Sequence, residues 1–209
     1  MGLHASDKGK GQDFDPIEPG LHHAICYAID DLGHQYNKKY ENYQHKVLIT
    51  WELPDERIQI EKEDGVYDLP RAISRQYTLS LNQKAYLRKD LETWRGRNFS
   101  EKELEGFDLT RLLGVNCTLQ VMHNTKDDKT YANVAAVVPL QKHLEKKEPE
   151  NPTRYFSFEE GRDISENTPE WVVKIIHQSK EWTEPEDENL DGPPNGMMPD
   201  FEDSEDIPF

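Results

Sequence analysis

Five segments of the chain have the apolar–polar alternation or the composition that is typical of β-strands. Residues 46–53 show this alternation most clearly. One face of this segment carries the apolar residues Val47, Ile49, Trp51 and Leu53. The other predicted strands are residues 21–29, 72–81, 115–123 and 131–140. Residues 31–45 are polar and aromatic, and we interpret them as a loop between the first two strands.

The hydrophobic period changes after the third strand. Residues 82–94 space their apolar side chains as an α-helix does, and Asn82 is a candidate N-cap. Two shorter helical segments are predicted at residues 100–104, where Ser100 and Glu103 match a capping box, and at residues 109–113.

The resulting order is three strands, a helix and two strands. This is the order of an OB-fold, a five-stranded Greek-key barrel with a helix between strands 3 and 4, so the fold class is mainly β. Another small antiparallel barrel or sandwich is the alternative. The predicted organisation is a flexible arm, the OB-fold domain, a linker with a helical extension, and a disordered acidic tail; these are residues 1–19, 20–140, 141–182 and 183–209.

The extension contains an amphipathic helix over residues 169–179. Thr168 is its predicted N-cap, and Pro169 occupies the first helical position. Two roles are open for this helix: packing back on the barrel, or binding a partner.

The negative charge is concentrated at the C-terminal end. The whole chain has a net charge of −16, and residues 184–209 carry −10 of it, because they contain ten acidic residues and no Lys or Arg. A pI near 4.9 normally argues against a nucleic-acid binder. That argument weakens here, although the remaining body is still mildly acidic.

The two cysteines, Cys26 and Cys117, lie among apolar residues of predicted strands, which favours buried free thiols over a disulfide or metal ligands. No apolar run is long enough to span a membrane. Free thiols are typical of a reducing cytoplasm.

No catalytic motif is recognisable in the sequence. His22, His23 and Cys26 are close together, but strand alternation places them on opposite faces. The carboxylates between the second and third predicted strands lack a following lysine at the spacing of a metal-dependent nuclease; they are Asp55, Glu56, Glu61 and Glu63. We therefore predict no catalytic residue, no metal and no cofactor.

The segment 36–46 interleaves aromatic rings with cations. Single-stranded DNA needs both, since bases stack on rings and phosphates require positive charge. The residues predicted to bind DNA in this segment are Tyr36, Lys38, Lys39, Tyr40, Tyr43 and Lys46. Further candidates are Arg71, Arg75 and Tyr77 on the third strand, Arg95 and Arg97 after the helix, and Lys129 and Tyr131 at the last hairpin.

The chain ends in an acidic run followed by Ile207, Pro208 and Phe209. A terminal ring and a free α-carboxylate can enter one pocket together, and flanking acids attract a basic rim. The partner-binding residues are Asp203, Glu205, Asp206, Ile207, Pro208 and Phe209. The tail can also compete with DNA for a basic groove.

The Asp-Ile-Pro-Phe ending resembles the C-terminal tip of bacterial single-stranded DNA-binding proteins. Residues 48–54 (Leu-Ile-Thr-Trp-Glu-Leu-Pro) and 130–134 (Thr-Tyr-Ala-Asn-Val) are similar to phage-encoded members of that group. The resemblance implies a non-enzymatic protein that binds single-stranded DNA largely without sequence preference, in phage DNA replication or recombination in the cytoplasm of a bacterial host cell. It also implies that the tip recruits replication or recombination proteins. The absence of a Gly/Gln-rich linker leaves the oligomeric state open.

Two other functions fit part of the sequence. An acidic decoy would occupy host tail-binding pockets without touching DNA, and the mildly acidic body favours it. A strand-annealing recombination protein would bind DNA but assemble into rings or filaments.

Overall fold

The computed structural model describes residues 15–62 and 65–184. Its strands are β1 (Gly20–Asn37), β2 (Asn42–Lys62), β3 (Gly65–Thr78), β4 (Asn116–Lys126), β5 (Lys129–Pro139) and β6 (Arg154–Phe156). Its helices are α1 (Tyr86–Arg95), α2 (Glu101–Glu105), α3 (Glu170–Ile176) and α4 (Lys180–Thr183), with a 3₁₀ turn at Leu109–Leu112. The fold is therefore mainly β, as predicted, and four short helical segments follow α1 in the described residues.

The strands form one six-stranded sheet in the order β3-β2-β1-β4-β5, with β6 added beside β1. The five longer strands pair antiparallel, whereas β6 runs parallel to β1. The sheet curls so that its edge strands β3 and β5 approach each other. The Arg75 guanidinium on β3 lies 3.5 Å from the Ala135 carbonyl oxygen on β5.

The alternation of residues 46–53 sorts side chains as predicted. Val47, Ile49, Trp51 and Leu53 all lie in the main core. Helix α1 covers this core with Leu87, Leu91 and Trp94. Trp51 and Trp94 contact each other with ring centroids 6.0 Å apart, so both tryptophans are core residues. The two cysteines are buried free thiols, which confirms that prediction.

The predicted loop at residues 31–45 is wrong. β1 continues to Asn37 and β2 begins at Asn42, so this segment is a β-hairpin. Polar and aromatic residues face each other across it, including the pairs His34–His45 and Tyr36–Tyr43. Such cross-strand pairs stabilise a ladder without an alternating apolar face.

Two helix starts also differ from prediction. Ala85, not Asn82, is the N-cap of α1, because the Asn82 carboxamide oxygen accepts from the Lys84 N–H in a local turn. Pro169, not Thr168, is the N-cap of α3. The capping box between Ser100 and Glu103 is confirmed at the start of α2.

The extension packs back on the sheet, which confirms one of its two predicted roles. A second hydrophobic core lies between the sheet and the extension; its members are Leu32, Leu48, Phe156, Val172 and Ile176. The prediction of a linker from residue 141 is incomplete, because the buried Glu52 carboxylate accepts bonds from the backbone N–H groups of Glu150 (2.8 Å) and Asn151 (2.9 Å).

The chain joins the fold before the predicted boundary at residue 20. Ile17 is buried in the main core, and its carbonyl oxygen lies 2.8 Å from His123 Nε2. Residues 15–19 therefore belong to the folded unit. In the part of the chain that the structure describes, every helix is too short or too polar to cross a membrane.

Candidate nucleic-acid interface

A cleft of about 760 Å³ lies between the β1–β2 hairpin, β3 and the start of α1. The hairpin contributes Tyr36, Lys38 and Tyr40 to its lining, and β3 contributes Arg71 and Arg75. The N-terminal segment reaches the cleft with Pro16 and Ile17 because Ile17 is anchored in the core. The cleft thus gathers residues that are up to 155 positions apart, from Pro16 to Trp171.

Aromatic rings occupy several walls of the cleft. Tyr36 is 52% exposed and meets its cross-strand neighbour Tyr43 edge-to-face, with centroids 5.3 Å apart. Tyr86, at the first turn of α1, lies beneath the Arg75 guanidinium at 5.6 Å. Strand pairing and helix packing therefore place both rings at the walls of the cleft.

The charge of the cleft has one sign. Its cations are Lys38, Lys46, Arg71 and Arg75. No Asp or Glu occurs among the described residues that line it. For a chain with a net charge of −16, an acid-free surface with four cations is a local reversal of the overall charge.

The four cations are not equivalent. Arg75 Nη1 lies 2.9 Å from Asp90 Oδ2, so the Asp90 carboxylate neutralises part of the Arg75 charge. Arg71 donates to the backbone carbonyl of Asp15, which leaves its charge intact. Lys46 Nζ donates to the Thr78 hydroxyl at 2.7 Å.

Tyr77 requires a correction. It lies in the floor of the cleft but is only 3% exposed, and its hydroxyl donates to Asp90 Oδ2 at 2.7 Å. Burial raises the pKa of Tyr77 well above its ordinary value, with the Asp90 charge adding to the effect. This ring cannot stack on a base as predicted, and it instead holds α1 against β3.

Arg95 and Arg97 also differ from prediction. Both pair with the Glu103 carboxylate, and neither lines the cleft. The Arg95 guanidinium lies over the rings of Phe99 (4.4 Å) and Phe107 (5.0 Å). These arginines stabilise the connection from α1 to α2, so we no longer place them at the DNA interface.

Four other predicted residues lie near the cleft without lining it. They are Lys39, Tyr43, Lys129 and Tyr131. Lys39 sits at the hairpin turn with its ammonium 5.3 Å from the Tyr40 ring centroid. Lys129 and Tyr131 begin β5 beside the β4–β5 turn. These four residues would contact DNA only if the bound DNA strand continued beyond the cleft. Their role in DNA binding therefore stays a prediction.

The sequence analysis missed two rings of the cleft, Tyr86 and Trp171. Tyr86 had a detectable signal, because Lys84, Arg88 and Lys89 surround it in the same aromatic and basic pattern as the hairpin. Trp171 had none, since its position beside the cleft depends on how the extension packs.

The residues considered as metal ligands are engaged elsewhere. His22 Nδ1 lies 3.0 Å from Glu56 Oε1, and His23 Nε2 lies 2.7 Å from Asn116 Oδ1. Burial raises the pKa of the Cys26 thiol. Within residues 15–62 and 65–184, no three His, Cys, Asp or Glu residues are arranged to hold a metal ion.

A polar cluster supports the base of the hairpin. The His34 and His45 rings lie 4.7 Å apart, and His45 Nε2 is 2.7 Å from Asp31 Oδ1. The hydrogen bond to Asp31 raises the pKa of His45. Glu181 of α4 accepts from the His34 backbone N–H at 2.7 Å, so the extension is fastened to the hairpin that carries the tyrosines.

No protein-family model, curated protein or solved structure matches this chain. The functional argument therefore depends on the geometry and charge of the cleft.

Proposed function

We propose that this chain is a non-enzymatic protein that binds single-stranded DNA in the cleft, largely without sequence preference, during phage DNA replication or recombination in a bacterial host. The observation that carries the proposal is the lining of the cleft. It combines four cations with the rings of Tyr36, Tyr40 and Tyr86, and its described residues include no acid. Phosphates need the cations, and unpaired bases need the rings.

The strand order supports an OB-type fold that is partly open. The helix lies between β3 and β4, β1 pairs with both β2 and β4, and the edges β3 and β5 approach at Arg75 and Ala135. OB-folds bind oligonucleotides on strands 2 and 3 and the adjoining loops. The cleft described above occupies the corresponding surface, between β3 and the β1–β2 hairpin.

The proposed binding mode explains the lack of sequence preference. Every base has a π-face, so stacking on a tyrosine ring contributes roughly 1–3 kcal/mol per base whatever the base is. The guanidinium groups of Arg71 and Arg75 and the ammonium groups of Lys38 and Lys46 would meet phosphate oxygens, which are identical along the strand. A duplex hides its base faces, so single strands are favoured.

The tail has a separate role in this proposal. Asp203, Glu205, Asp206, Ile207, Pro208 and Phe209 lie outside the described residues. Their sequence supports docking of replication or recombination proteins, because acidic side chains attract a basic rim and a phenylalanine ring can fill an apolar pocket.

Anisotropy of a labelled oligo-dT tests the proposal. Wild type should bind, and the double variant Y36A/K38A should bind at least tenfold more weakly, since it removes one ring and one cation of the cleft. Y155A is the matched control, because Tyr155 is an exposed tyrosine of β6 that does not line the cleft. Absence of oligo-dT binding by wild type would refute the proposal and leave the decoy function.

A further inference from the structure

Helix α3 presents its largest side chain away from the core that anchors it. Val172 and Ile176 are fully buried in the second core with Leu32 and Leu48. Trp171, one residue before Val172, is 39% exposed. A helix of seven residues can bury only one stripe, and tryptophan would ordinarily occupy it because it has the most apolar area to bury.

The exposed part of Trp171 faces the cleft, and it is the one described lining residue that comes from beyond Val134. All the others lie between Pro16 and Val134. The extension therefore contributes an aromatic side chain to a surface that is otherwise built by the sheet and α1.

We propose that Trp171 stacks on a base of the same single strand that contacts Tyr36, so that the C-terminal extension is part of the DNA-binding surface. This inference rests on the proposed function and names an additional binding residue for it. The cleft supplies the cations that hold the backbone, and an indole has the largest stacking face of any side chain.

Trp171 is held in place through its helix. Gln35, the neighbour of Tyr36 on β1, donates its amide to the Ile175 carbonyl oxygen at 2.9 Å. Arg154 Nη1 donates to the Asn167 carbonyl oxygen at 3.2 Å, just before α3 begins. These bonds hold the backbone of α3 against the strand that carries Tyr36. Holding the two elements together before binding lowers the entropy cost of binding.

Tryptophan fluorescence makes the inference testable, because the four tryptophans differ in environment. Trp51 and Trp94 are buried in the main core. Trp182 stacks on His177, with ring centroids 4.2 Å apart, and does not line the cleft. Quenching by an oligo-dT should therefore come chiefly from Trp171.

The experiment compares W171A, W171F and the matched control W182F with wild type, using oligo-dT anisotropy and tryptophan fluorescence. W171A should weaken binding on the order of 5- to 150-fold, the range measured for loss of one stacking ring. W171F should retain most of the affinity and lose most of the quenching. W182F should keep both. Urea midpoints close to wild type would establish that the variants are folded.

The possible failures are distinguishable. If W171A binds like wild type while Y36A/K38A is weakened, Trp171 is not a stacking residue and the proposed function stands. Quenching that persists in W171F and disappears in W182F would also overturn the inference. If wild type does not bind oligo-dT, the proposed function fails and the role of Trp171 fails with it.

Discussion

The cations of the cleft predict how the proposed DNA binding depends on salt. Binding of a single strand releases counterions, and the logarithm of the affinity falls with the logarithm of the salt concentration with a slope of about −0.7 per phosphate neutralised. The cleft contains four cations, which sets a limiting slope of about −2.8. If Asp90 fully neutralised Arg75, three cations would remain and the slope would be about −2.1.

These slopes correspond to large changes in affinity. A rise from about 50 to about 200 mM salt should weaken binding by about 20-fold at the smaller slope and about 50-fold at the larger one. The assay is a titration of labelled oligo-dT at five or so salt concentrations. K38A should reduce the slope by about 0.7, because Lys38 is an exposed cation of the cleft. R75A should reduce it by less, since Asp90 already pairs with that guanidinium.

K102A is the matched control. Lys102 is an exposed lysine on α2, outside the cleft, so its removal changes the net charge equally but should leave the slope unchanged. A wild-type slope near zero would refute the assignment of the cleft as the phosphate-binding surface. Equal effects of K38A and K102A would refute it as well, because binding would then depend on net charge alone.

Three further predictions concern the tail and the hairpin. Deletion of residues 185–209 should tighten oligo-dT binding at low salt, because it removes a polyanion that competes for the cleft; unchanged affinity would exclude that competition. Because Asp31 raises the pKa of His45, the stabilisation by protonated His45 is complete below about pH 6.5 and is lost as the pH rises through the raised value. Urea midpoints should fall over that window in wild type and less in H45Q. G33A should destabilise the fold, because Gly33 has φ +66° and an added Cβ would lie 2.6 Å from Glu181 Oε2; an unchanged midpoint would contradict this.

The sequence predicts the sheet best where apolar and polar residues alternate. Val47, Ile49, Trp51 and Leu53 enter the main core as a set, although the opposite face of the strand is buried as well. The hairpin lacks such alternation, which is why its sequence favours a loop. Tyr36 and Tyr43 are both exposed, so their side chains leave no alternation to detect, and the ladder is held by cross-strand pairs.

The candidate site was predicted only in part, because its exact membership depends on distant contacts. Arg75 and Tyr77 share one face of β3, as the sequence indicates. The Asp90 carboxylate of α1 pairs with the Arg75 guanidinium and neutralises part of its charge. The same carboxylate accepts a hydrogen bond from the buried Tyr77 hydroxyl. No local sequence pattern predicts a contact between residues that are 13 to 15 positions apart. Trp171 was missed for the same reason, since its place beside the cleft follows from the second core.

A buried ion pair fastens the extension to the sheet. Arg154 of β6 contacts Asp30 of β1 through two bonds, Nε–Oδ1 at 3.0 Å and Nη2–Oδ2 at 2.7 Å, and both side chains are almost fully buried. R154M would leave the Asp30 carboxylate buried without its partner, which typically costs about 3–5 kcal/mol of stability.

The double variant D30L/R154M separates loss of the pair from loss of packing. Replacing both charges by apolar groups removes the unpaired carboxylate, so most of the stability lost in R154M should return. Urea denaturation measures both variants, and oligo-dT anisotropy measures whether the extension still presents Trp171 at the cleft. If R154M costs less than about 1 kcal/mol, the pair does not fasten the extension, and the rigidity we assign to α3 has another source. If R154M loses stability and oligo-dT affinity together and D30L/R154M regains both, the buried pair connects the fold of the extension to the proposed DNA surface.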